Sequence, residues 1–148
     1  MSRGKKEKGM HSIRLGVLLL VVCGFTLGMG SMGNDQVVAI PEPEHNYKVT
    51  LVDQADVSMD LEKFSCAGQT YLSGSLGKAE LSIDFEKIRS IFFLFDDREL
   101  QANVLLIDGR TAVIVVDKAQ ACYGVSTFAN VKIEMRDIKT IELHGKTY

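Results

Sequence analysis

The chain has 148 residues, of which 46% are hydrophobic and 24% charged, with no tryptophan and a formal net charge of −2. That length carries about one domain, and that composition excludes collagen-like and intrinsically disordered classes. The charge is unevenly spread: residues 1–33 hold five Lys/Arg against the single acid Glu7, which leaves 12 basic and 18 acidic residues, or −6, for residues 34–148. A body this acidic repels phosphates and is not that of a general nucleic-acid binder.

The basic run "SRGKKEKGMHSIR" leads into the apolar run "LGVLLLVVCGFTLGMG" and then to polar "NDQ". Basic, then apolar, then small and polar is the order of a secretory signal peptide. Gly28/Gly30, Ser31/Gly33 and Val37/Ala39 each offer small residues at cleavage spacing. Val22 is larger than a lipoprotein signal wants before Cys23. The alternative is an uncleaved N-terminal membrane anchor, since Leu15–Met32 is just long enough to cross a bilayer. Residues 1–33 are read as that signal or anchor, with membrane contact expected only if residues 15–32 are retained. The rest of the chain is expected in the periplasm or cell envelope.

Residues 34–46 hold both prolines, Pro41 and Pro43, and read as an extended linker. From Tyr47 onward the dominant period is two. Tyr47, Val49 and Leu51 alternate with Lys48, Thr50 and Val52. Leu81, Ile83 and Phe85 do the same, as do Val131, Ile133 and Met135. No stretch after residue 40 gives an amphipathic helix of three turns. Residues 47–148 are therefore expected to form a single all-β domain.

"IFFLF" (91–95) is apolar on both faces. If Ile91, Phe93 and Phe95 fill the core, Phe92 and Leu94 point the other way. Either another segment covers them, such as the "IPEPEHNY" arm, or they form an apolar patch for a partner protein, a second copy or a lipid-like ligand. Next comes "ELQANVLLIDGRTAVIVVD", in which Asp108-Gly109 reads as a two-residue hairpin turn. That turn would set Leu106 opposite Thr111 and Val104 opposite Val113, and would place Val113 and Val115 on the core face.

"IDFEKIRSI" (83–91) returns fifty positions later as "IEMRDIKTI" (133–141), and "VTLVD" (49–53) is echoed by "VLLID" (104–108). "FEKI" and "MRDI" break the alternation and read as corners. Two such halves, 47–95 and 98–144, are each near the size below which a domain needs help to fold. Packed face to face, they predict a small two-sheet β-sandwich or flattened barrel with pseudo-twofold symmetry.

Chemistry is sparse. Cys66 and Cys122 are the two cysteines beyond the signal. An oxidising compartment favours pairing them, the alternative being two separate buried thiols. No CxxC or HxxxH spacing occurs. Asp96-Asp97 with Glu99 reads as a solvated turn, and Asp53, Asp56 and Asp60 lack the rest of a calcium loop, so no metal is expected. A hydrolytic triad would need His45, in the linker, or His144, close to the C-terminal end of the sequence. "SGSLGK" is followed by strand alternation where a phosphate loop needs a helix. The expectation is an exported, non-catalytic, cofactor-free binding or structural accessory module. Its partner would be an envelope protein or a second copy. A carrier of a small apolar ligand and a small secreted hydrolase are the alternatives.

Overall fold

The computed structural model describes residues 37–148; the segment read as a signal or anchor, 1–33, and the first residues of the expected linker lie outside the described residues. Val37–Tyr148 form one compact unit. The period-two segments become ten antiparallel strands. They are β1 (Tyr47–Asp53), β2 (Ser58–Cys66), β3 (Tyr71–Leu76), β4 (Ala79–Asp84), β5 (Ile88–Asp96), β6 (Glu99–Leu106), β7 (Thr111–Val116), β8 (Ala121–Val125), β9 (Asn130–Glu134) and β10 (Ile138–Lys146). The domain is all-β. Among the described residues no helix is long and apolar enough to cross a membrane.

The sequence predicts two facing sheets, and the strands instead form one curled sheet, a half-barrel, in the order β4-β3-β7-β6-β5-β10-β1-β2-β8-β9. The reason is visible in β2. Its first part pairs with β1 and its last residues with β8, and between them Lys63 takes a φ of 51° at an irregularity of the ladder. A strand bent in this way carries its sheet round a corner without breaking it. Counting outward from the central β5–β10 pair, the strands are β6, β7, β3, β4 on one side and β1, β2, β8, β9 on the other. At that centre Ile91 faces Ile141.

Two glycines allow the outer strands to approach. A Cβ on Gly74 of β3 would sit 2.6 Å from the Val115 carbonyl oxygen, and one on Gly124 of β8 would sit 2.8 Å from Leu61 Cβ. Only glycine lets β3 lie on β7, and β8 on β2, at that distance. The corners at "FEK" and "MRD" are 3-10 turns that bury Phe85 and Met135. Each is pinned by backbone bonds to other segments: Phe85 N to Thr70 O (3.0 Å) and Ile107 N to Lys87 O (3.0 Å) at the first, and Met135 N to Gln120 O (2.9 Å), Arg136 N to Lys118 O (3.1 Å) and Gln54 N to Asp137 O (2.8 Å) at the second. The core lies on the concave side, where Phe64 stacks on Phe85 and Tyr47 meets the same ring edge-on, both with centroids 5.6 Å apart.

The β6–β7 register differs from the sequence expectation by one residue. Leu105 faces Thr111, Asn103 faces Val113 and Ala102 faces Ile114. Leu106 N bonds Arg110 O, so the loop is Ile107–Asp108–Gly109 with Gly109 at φ 87°, three residues in place of two. Asp108 favours this longer turn because its carboxylate accepts from Arg110 N at 3.0 Å and from Arg110 Nε at 2.8 Å. Since side chains alternate strictly along a strand, a one-residue slip turns the whole of β7 over. Ile114 and Val116 enter the core, and Val113 and Val115 face outward.

Candidate interaction face

That slip puts the apolar residues of β7 on the same outer face as those of β5, with the amides of β6 between them. On the outer face, Phe92 pairs with Asn103 and Asn103 with Val113, forming one row across three strands. Leu94, Gln101 and Val115 form the next row. Phe92 is 43% exposed, Leu94 52% and Val113 46%, so nothing among the described residues covers this face. A groove of about 660 Å³ runs over it, lined by Phe92, Asn103, Leu105, Val113, Thr140 and Glu142 among others. The arm before β1 lies elsewhere. Its Glu42 bonds Lys63, Pro41 packs under Gly68, and the Val38 carbonyl accepts from Asn130.

Equal steps from the centre toward the other edge meet different chemistry. There Glu142 pairs with Thr50 and Thr50 with Asp60, while Lys48 bridges to Glu62 at 2.8 Å. The same kind of backbone position holds Phe and Val on one flank and Glu and Asp on the other. Burial of the opposite, concave face is what the sheet needs, and it is met on both flanks. Apolar residues outside are therefore not a requirement of the fold.

The other sequence candidates fall into three places. Cys66 and Cys122 stand directly opposite each other on β2 and β8 and are joined as a disulfide, both buried. Asp96 and Glu99 flank the β5–β6 turn, with Asp96 accepting from Gln101 Nε2 at 2.9 Å. Among the described residues no three His, Cys, Asp or Glu side chains converge as a metal site. His144, though close to the C-terminal end of the sequence, is held in a strand: β10 runs on to Lys146, and His144 Nε2 lies 2.8 Å from Thr50 Oγ1. Thr50 Oγ1 donates to Asp60 Oδ1 at 2.7 Å. A hydroxyl has one proton. Given to Asp60, it is not offered to His144, so the imidazole faces the oxygen as a donor and does not activate it as a base.

A second polar group lies at the end of β1. Tyr47 Oη is buried without a hydrogen-bond partner, and Lys146 Nζ sits 5.9 Å from the ring centroid while bonding Glu86 at 3.0 Å. Burial raises the Tyr47 phenol above its ordinary range, and the Glu86 bond raises the Lys146 ammonium. A lysine held protonated in this way is neither base nor nucleophile near neutral pH.

A family model described as "Uncharacterised protein" matches residues 43–146, which spans this face, the disulfide and both corners. The chain belongs to that family. Comparison with curated proteins and with solved structures finds no match. Sequence reasoning singles out Phe92 and Leu94 but assigns Val113 and Val115 to the core. The signal that could have placed them is Asp108-Gly109 itself, which serves a three-residue loop as well as a two-residue one.

Proposed function

We propose that this chain is an exported, non-catalytic module of the periplasm or cell envelope that binds a partner protein through the outer face of β5, β6 and β7. The observation that carries the reading is the contrast between the row Phe92–Asn103–Val113 and the row Glu142–Thr50–Asp60 on one continuous sheet. Exposed apolar surface is costly in a soluble domain, and Phe92, Leu94 and Val113 gather on this one face. The amides of Gln101 and Asn103 sit among the apolar residues, as polar groups do within protein interfaces. We also read the strand order, identical in pattern on both sides of Ile91–Ile141, as two pseudo-symmetric halves of about fifty residues. On that reading each flank of the sheet combines strands of both halves, β5 with β6 and β7 on one side and β10 with β1 and β2 on the other; one flank kept a charged exterior and the other acquired a binding face.

The test is site-specific photo-crosslinking in the native host. A crosslinker at Phe92 should capture a defined protein, and one at Asp60 should not. Phe92→Glu with Val113→Glu should abolish binding of the captured protein. Equal capture from both positions, or none from Phe92, would count against the reading. A small apolar molecule retained in native mass spectrometry would favour the carrier alternative.

A further inference from the structure

β4 and β9 are the two ends of the sheet, each hydrogen-bonded to a neighbour on one side only. The direction of their free backbone groups follows from the ladders. On β4, Phe85 N bonds Thr70 O at one end, and a two-residue turn joins Leu76 to Ala79 at the other. Leu81 and Ile83 therefore bond to β3, and the main-chain groups of Glu80, Ser82 and Asp84 turn to the open edge. On β9, Met135 N to Gln120 O and Ser126 N to Ala129 O bracket the ladder, so Asn130, Lys132 and Glu134 turn outward. Leu81, Ile83, Val131 and Ile133 pack on the core from these strands and are only partly buried.

A bare edge is a template for another strand, and edge charges usually block it. Here the two edges carry charges that match. In one antiparallel register the outward-turned residues meet as Glu80 opposite Lys132 and Ser82 opposite Asn130, with Leu81 beside Val131 on the core side. A slip of one repeat either way sets Glu80 against Glu134, or Lys78 against Lys132. The matching register also places Leu81 opposite its counterpart fifty positions along, as Ile91 faces Ile141 at the centre of the sheet. Asn130 holds the arm through its side-chain amide alone, Nδ2 donating to Val38 O at 3.0 Å.

We propose that β4 of one molecule pairs with β9 of a second copy in this register. Each copy brings one edge of each kind, so the contact is head-to-tail and ends in a ring or continues as a filament. The surface is separate from the outer face of β5–β7.

The test uses the full chain, co-expressed with two different tags and recovered through one of them. Glu80→Lys and Lys132→Glu should each lower recovery of the second tag roughly fivefold, because each replaces a cross-strand attraction by a repulsion. The double variant restores the attraction with its sign reversed and should recover to within about twofold of the parent. No recovery from the parent, unchanged single variants, or a double variant as poor as the singles would each overturn the proposal. Glu80→Cys and Lys132→Cys in separate tagged chains provide a check that survives misfolding of the charge variants. Oxidation should yield a mixed dimer. A crosslink that forms only when both cysteines share one chain would place the two edges together within one molecule and defeat the proposal.

Discussion

Gly74 and Gly124 each mark a place where one strand lies against another at a distance no side chain permits, but they are not equally constrained. The Cβ of Gly74→Ala would strike the Val115 carbonyl oxygen, which cannot move without disturbing β7. The Cβ of Gly124→Ala would come 2.8 Å from Leu61 Cβ, a slightly wider approach, though to an atom that side-chain rotation does not move. Overpacking of this kind costs about 1–3 kcal/mol, and Gly74→Ala should stand at the upper end with Gly124→Ala below it, read from urea unfolding midpoints. Tyr47 gives the opposite expectation. Its buried hydroxyl lacks a partner, so Tyr47→Phe should leave the protein at least as stable as the parent in thermal unfolding. The phenol's raised pKa adds a pH dependence. Its contribution is fully present below the unfolded value near about 10 and is lost as the pH rises through the folded value, so the parent should weaken in alkali more than Tyr47→Phe does. Alkylation of the denatured, unreduced protein should find no free thiol at Cys66 or Cys122. In the chain-entropy treatment, removing that bridge costs about 4 kcal/mol, less any strain it carries.

At the scale of elements, the register of β7 decides what faces water. Val113→Glu should cost less than about 0.5 kcal/mol, whereas Ile114→Glu should cost several, because only the second buries an unpaired charge. Comparable losses in urea melts would restore the two-residue turn and remove Val113 from the outer face. The same reasoning ranks the isoleucines. Ile83 and Ile133 on the end strands are partly buried, while Ile91 and Ile141 at the centre are fully so. Ile91→Asp should therefore be costlier than Ile83→Asp. Alternation made the strands legible, and the breaks at "FEKI" and "MRDI" made the corners legible, because period and interruption are local properties of the chain. Which strands would be neighbours was not legible. Alternation says which face of β3 is buried but not that β7 will lie beside it, and the echo of "VTLVD" in "VLLID" sits two places away from the pairing that forms. In the structure Leu51 faces Ile141 and Val104 faces Ile91, so Leu51 corresponds to Val104 and not to Leu106. Phe92 and Leu94 could be named as a candidate site from an apolar run alone. Val113 could not be added to them without the turn.

For the whole molecule, the export reading predicts a mature chain that begins between Ser31 and Ile40. N-terminal sequencing of the protein from its host is the measurement, and an intact start in the membrane fraction would move the reading to a retained anchor. The disulfide fits such a compartment, since cross-strand bonds of this kind persist where thiols are oxidised. The strand order carries one more consequence. β2 leads into β3, which lands on β7, and β7 leads into β8, which lands on β2. A chain is made from its N-terminus onward. While residues 71–84 are already out, the strand they must settle on is still unmade, and Cys66 has no partner until Cys122 follows. The unfinished chain must therefore keep Leu72 and Phe64, both buried in the finished core, from alternative contacts while it waits, and such non-local pairing is intrinsically slow. Severed between β5 and β6, neither fragment would contain the landing strand for its own hairpin, yet each would hold the one the other lacks.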